Sequence, residues 1–205
     1  MGALGLIACG FQRDFCERDG ALAASGRSVE PIRAILGEAE RVLAAARAAG
    51  IVVLHSPERA LARGMSDSPA WRDQARLNGW TQPIAAEGEP GERILDAFAP
   101  LPGELVVPRH RPGALIDSRA SVLLRSAGVD RVIVIGVELH RAVLATALQA
   151  VCLDYRVSVP RDAVGGSDAA AGRAALAALA SWARVVATDE LLAALPAPRP
   201  ATGKE

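Results

Sequence analysis

The sequence predicts an α/β fold: one domain holding a six-stranded parallel sheet with helices on both faces, a three-layer sandwich. Three observations predict it. Short runs of β-branched and aliphatic residues alternate with helical patterns along nearly the whole chain, the rhythm of strand–helix–strand crossovers. The central run, Val132-Ile133-Val134-Ile135, is apolar at every position, as a strand buried on both faces must be. It stops at Gly136, and from Ala142 an apolar helical pattern takes over. A glycine at a strand's carboxyl end followed by a helix is how open α/β sheets build ligand sites.

The elements follow in order. Leu4–Cys9 is the first strand and stops at Gly10. A polar loop, 17–27, leads to Ser28 as an N-cap and to Pro31 in the first turn of a helix. Val29, Ile32, Leu36, Ala39, Leu43 and Ala46 mark the apolar face of that helix, and Gly50 closes it. Ile51–Leu54 is the second strand and ends at His55. Residues 56–91 have poor periodicity and four interrupting prolines, which predicts a long excursion over the sheet's carboxyl edge. Trp71 and Trp80 within it need burial there or at a subunit contact. Leu105–Val107 is the third strand, followed by Pro108-Arg109-His110-Arg111-Pro112. A helix over 117–126 precedes the central strand. Arg156–Val159 and Ala183–Ala187 complete the sheet, with an alanine-rich helix capped by Asp168 between them and a last short helix from Thr188 or Asp189. The domain is expected over residues 1–195, with 196–205 as a disordered tail.

Composition excludes some functions. With 205 residues, about half of them apolar, the chain can bury a sizeable core. A formal net charge of zero with no long basic run argues against nucleic acid as a partner. No stretch reaches the roughly 20 apolar residues needed to span a bilayer, so no membrane is expected either. The apolar start lacks a basic region before it and reads as a strand, not a signal peptide. Cys9, Cys16 and Cys152 are odd in number and widely spaced, which suits reduced thiols and a cytoplasmic location. Each is read as a packing residue: Cys9 on a buried strand, Cys16 beside Phe15, and Cys152 deep in the helix after Ala142.

Several segments together resemble the isochorismatase-like, or cysteine hydrolase, family. Gly10-Phe11-Gln12-Arg13-Asp14-Phe15 resembles its D-x-Q-x-D-F, and residues 43–53 resemble its helix–strand junction. Residues 102–111 resemble P-G-D-x-V-V-x-K-x-R, and 136–146 resemble G-V-x-T-x-x-C-V-x-x-T. Asp162-Ala163 and the closing Thr188, Glu190 and Leu192 complete the series. The resemblance runs from Leu4 to about Leu195, and the order and spacing of the motifs carry it.

That resemblance implies a hydrolase of amide or vinyl-ether bonds with a pocket at the sheet's carboxyl edge. It also implies an aspartate base, a lysine and a cysteine nucleophile, at positions that here read Gly10, Arg109 and Ala142. Gly10 cannot take a proton, Ala142 cannot form a covalent intermediate, and Arg109 stays protonated near neutral pH. Covalent hydrolysis by the family route is therefore not expected. In the family the bond equivalent to Val137–Glu138 is often cis. The metal-ligand motif that nicotinamidase-like members carry after strand two is reduced here to His55 beside Ser56-Pro57, so neither a metal nor another cofactor is expected.

Two readings of the strand-end residues stay open. Arg109, His110 and Arg111 are either a solvated loop or an anion clamp aided by the helix start near Ala142. Glu138, His140, Arg141 and Trp80 either join them at the mouth, binding a small anionic molecule, or face a neighbouring subunit. On the first reading the protein is a non-catalytic binder, acting as a homo-oligomer or beside an active homologue. The alternative is an enzyme of other chemistry on a small carboxylate or amide, with Arg109 stabilising charge and His110 or His140 moving a proton.

Overall fold

The computed structural model describes residues 2–80 and 82–197. One sheet runs through it, all of its strand pairs parallel. Its strands are β1 (Ala3–Cys9), β2 (Val52–Ser56), β3 (Leu105–Val106), β4 (Val129–Val137), β5 (Arg156–Pro160), β6 (Val164–Gly165) and β7 (Arg184–Val186). Their order is β3-β2-β1-β4-β5-β7, and β6 pairs with the far end of β4. The expected six strands are all present. The seventh, β6, is two residues long, too short to leave a pattern; it takes over Gly136 and Val137 where β5 has left β4.

The centre of the sheet is the pairing of β1 with β4, Ile7 opposite Val134 and Cys9 opposite Gly136. Alternation divides the side chains between two cores. Leu6, Ala8, Ile133 and Ile135 face one layer with Val42, Leu43 and Ala46. Ile7, Cys9, Val132 and Val134 face the other with Val143, Ala147 and Ala150. Cys9 is buried against the Thr146 hydroxyl, 3.7 Å away, and burial pushes its thiol pKa up despite Arg109 nearby. Cys16 is also buried, and desolvation carries its pKa to about 12.

The helix expected from Ser28 onward is two pieces, α3 (Glu30–Arg33) and α4 (Leu36–Ala48), after α1 (Arg13–Cys16) and α2 (Ala21–Ala24). A 3₁₀-type bond from Ile35 N to Ile32 O marks the break, while both pieces keep their apolar residues on one layer. The excursion over 56–91 contains a helix that its poor apolar period conceals, α5 (Pro69–Leu77). Its start signal is plain in retrospect: Ser68 Oγ accepts from Trp71 N, and Pro69 sits in the first turn. The helix before β4 is α6 (Ala120–Ser126), shorter than expected.

Beyond β4 the Val137–Glu138 peptide bond is cis, and a π-helical turn, Leu139–Val143, leads into α7 (Leu144–Cys152). Cys152 is exposed at the end of α7, not in the core as its helix suggested; the apolar face there is Thr146, Ala147 and Ala150. Asp168 caps α8 (Ala169–Leu179), accepting from Ala171 N at 2.9 Å. The last helix, α9 (Thr188–Ala193), is tied to the loop after β5, where Asp162 accepts from both the Thr188 amide and its hydroxyl. Of the expected tail, 198–205 lie outside the described residues. No helix among the described residues is long and apolar enough to cross a membrane.

Candidate active site and ligand cavity

The ends of β1, β2, β3 and β4 meet at the sheet's carboxyl edge. Past Ser56 the β2 backbone runs on beside residue 109: Arg109 N donates to Pro57 O and Arg59 N to Arg109 O, both at 2.9 Å. Gln12, fully buried after β1, clamps the same segment. Its Oε1 accepts from Glu58 N at 2.7 Å, and its Nε2 donates to Glu58 O and Glu92 O at 2.8 Å. This pairing seats the Glu58 side chain beside Arg109.

Arg109 is 2 % exposed, and its Nη1 donates to Glu58 Oε2 at 2.6 Å and to Arg111 O at 3.1 Å. The anion it was expected to clamp is thus a carboxylate of the same chain. A guanidinium this deeply buried must be paired, and Glu58 supplies the countercharge. The sequence alone does not single out Glu58; the only hint is its place just after Pro57 at a strand end.

Gly10 lies on the far side of Arg109. A Cβ built there would be 3.5 Å from Arg109 Nη2 but would run into the Val137 carbonyl oxygen, and Gly10 has φ +67°. The backbone of this chain thus leaves no room for a side chain at position 10. Ala142 is 3 % exposed and packs in the core layer that holds Cys9 and Val143.

A cavity of about 310 Å³ opens beside this edge. Glu58, Trp71, Ala75, Trp80, Ile84 and Arg141 are among its walls. Of the residues expected at the mouth, Arg141 and Trp80 reach it. The Arg141 guanidinium lies over the Trp80 ring, 4.6 Å from its centroid, and Arg27 lies 5.0 Å from the same ring. Arg111 lies 4.8 Å from the centroid of Trp71, so it backs the cavity through that ring. Arg141 side-chain nitrogens have no hydrogen-bond acceptor among the described residues. Burial lowers the Arg141 pKa, partly offset by the Glu58 and Glu138 charges.

The other expected residues point elsewhere. Glu138 is buried, with Oε1 accepting from Ser167 N at 3.0 Å. His140 has its Nε2 3.5 Å from Glu138 Oε2 and its ring beside Gly166. His110 is exposed, and its Nδ1 is bonded to Arg59 O at 2.7 Å. Neither histidine lines the cavity.

His55, the remnant of the metal motif, is buried with Nε2 2.8 Å from Glu104 Oε2. Glu104 also takes both Arg47 nitrogens, at 2.8 and 2.9 Å, and Leu101 N at 2.8 Å. Burial alone would raise the Glu104 pKa; the bonds from Arg47, Leu101 and His55 outweigh it and hold the carboxyl at about 2. Burial lowers that of His55. Among the described residues no group of three or more His, Cys, Asp or Glu is placed to hold a metal ion.

Comparison with known proteins gives one answer. The family described as Isochorismatase domain matches residues 5–190. A secreted isochorismatase effector of Verticillium dahliae is 33 % identical over 86 residues, 42 % of this chain and 45 % of that protein. A ureidoacrylate amidohydrolase of an Enterobacter species is 26 % identical over 171 residues, 77 % of this chain and 73 % of that one. The crystal structure of an isochorismatase family protein from Desulfovibrio vulgaris superposes with TM-score 0.79 at 26 % identity, covering 94 % of this chain and all of that one. A cysteine hydrolase from Pseudomonas syringae shares the fold at TM-score 0.82 and 24 % identity, over 93 % of this chain and 91 % of its own.

Proposed function

The chain belongs to the isochorismatase family of hydrolases, and from that premise we propose that it binds a small anionic molecule without performing the family's covalent chemistry. The observation that carries this reading is Arg141. It is a half-buried guanidinium on a cavity wall, stacked on Trp80, with no acceptor of its own among the described residues. Holding such a charge partly desolvated is unfavourable unless something completes its shell. The ligand anchor thus moves from Arg109, whose charge is paired with Glu58 through Nη1, to Arg141.

Gly10 and Ala142 support the non-covalent half of the proposal, since neither can activate or be a nucleophile. In this role the protein serves as a sensor, a carrier, or a subunit beside an active homologue. Its thiols keep the cytoplasm as our expected location.

The test is a thermal-shift panel of small carboxylates and amides, with ureidoacrylate included because one relative acts on it by name. Ammonia release would be followed in parallel. A ligand at 100 times its dissociation constant stabilises the fold by about 2.7 kcal/mol. The expected result is a stabilising carboxylate whose effect disappears in Arg141→Gln, with no ammonia released. Stabilisation that persists in Arg141→Gln would remove the anchor, and steady ammonia release would end the non-catalytic reading.

A further inference from the structure

The same cavity wall carries a second unfilled group, and the pair defines a ligand class. Glu58 lines the cavity with Arg141. Its Oε2 takes Arg109 Nη1, while its Oε1 has no donor among the described residues. Its backbone is held on both sides by Gln12, so the carboxylate is presented from a rigid segment, not from a swinging loop. Glu58 and Arg141 both line the same cavity of about 310 Å³, so one small molecule can reach both.

The remaining charges on the wall are engaged differently. Arg72 Nη1 donates to Asp67 O at 2.6 Å, and Arg76 is paired with Asp73 at 3.0 Å. Asp67 Oδ1 accepts from Ser66 Oγ at 3.1 Å. Arg141 is the guanidinium left open, and Glu58 is the carboxylate on the same cavity wall with an oxygen to spare.

We propose that Glu58 is the specificity-determining residue of the cavity, selecting a small carboxylate that carries an N–H donor at its other end. Arg141 takes the ligand carboxylate through its donor fork, and Glu58 Oε1 accepts the ligand N–H. This inference rests on the reading of Arg141 as the anion anchor. A dicarboxylate is disfavoured because its second charge would meet Glu58 at close range. A ligand with a carbonyl and no N–H leaves the Glu58 oxygen without a donor and sets two acceptors against each other, which costs binding.

Three probes differ only in the terminal group opposite their carboxylate: glutaramate ends in an amide, 5-oxohexanoate in a methyl ketone, and glutarate in a second carboxylate. Calorimetric titration of the intact protein should give glutaramate an affinity at least about tenfold above 5-oxohexanoate, with glutarate weakest. In Glu58→Gln the gap between glutaramate and glutarate should close, because an amide at 58 accepts either end group. That variant can still accept from Arg109, and circular dichroism would establish that it is folded; the ranking in the unaltered protein needs no variant at all.

Glutarate binding as tightly as glutaramate, or 5-oxohexanoate matching it, would overturn the role of Glu58 while leaving the anchor standing. Absence of binding by all three would overturn both readings.

Discussion

Arg109 Nη1 donates to Glu58 Oε2 at 2.6 Å, with the arginine side chain 2 % exposed and the glutamate 20 %. The pair joins the β2 extension to the segment after β3. It consumes the charge that, from sequence, looked available to a ligand. Removing one member leaves the other buried without compensation, a change that typically costs about 3–5 kcal/mol. Because Glu58 keeps some solvent, Glu58→Ala should destabilise the protein by about 3 kcal/mol and Glu58→Gln by clearly less. Urea denaturation measures both: a negligible loss in Glu58→Ala would show that the pairing is unimportant, and equal losses would show that the charge, not the hydrogen bond, carries it.

Gly10 cannot simply be returned to aspartate. The left-handed backbone disfavours any side chain by roughly 1–2 kcal/mol, and the new Cβ would also press on the Val137 carbonyl oxygen. Gly10→Asp should therefore destabilise by at least about 2 kcal/mol. The double variant Gly10→Asp with Ala142→Cys should gain no amidase activity. An active and fully stable double variant would mean that the edge of the sheet yields more readily than its contacts indicate.

Acid should weaken the fold in two stages. His55 has a folded pKa below its unfolded value of about 6.5, so the unfolded chain takes up a proton first and stability falls as pH drops through that value. Glu104, near 2 when folded and about 4.3 unfolded, contributes stability above about pH 4.3 that is lost as pH falls toward 2. Urea midpoints across pH 7 to 3 would follow this, and Glu104→Gln should remove the second stage. A flat profile down to about pH 4 would contradict the His55 assignment.

The three thiols should separate by accessibility. Cys152 is exposed, whereas Cys9 and Cys16 are buried with raised pKa values. A maleimide titration at neutral pH should label one thiol in the native protein and all three in denaturant. Cys152→Ser should abolish the native reaction. Rapid labelling of a second thiol would mean that one of the core layers opens readily.

The sheet was legible because burial on two faces forces a continuous apolar run, as in Val132–Ile135, and because glycines such as Gly50 close helices where only a left-handed residue fits. The family was legible because its motifs sit at strand ends, where one short segment meets one chemical requirement. α5 escaped because none of its residues is buried, and a helix with no buried face carries too few large apolar side chains to mark one along the sequence.

Sequence by itself determined the parallel α/β architecture and the family. Only the tertiary structure decided which charge was free. Arg109 and Arg141 both follow strands of the sheet, and the neighbours of neither along the chain show whether it finds a countercharge. The difference is made by Glu58, 51 positions from Arg109 in sequence and 2.6 Å from it in space. A buried cation takes the nearest carboxylate that the fold brings to it; Arg109 has one, and Arg141 has no such partner among the described residues.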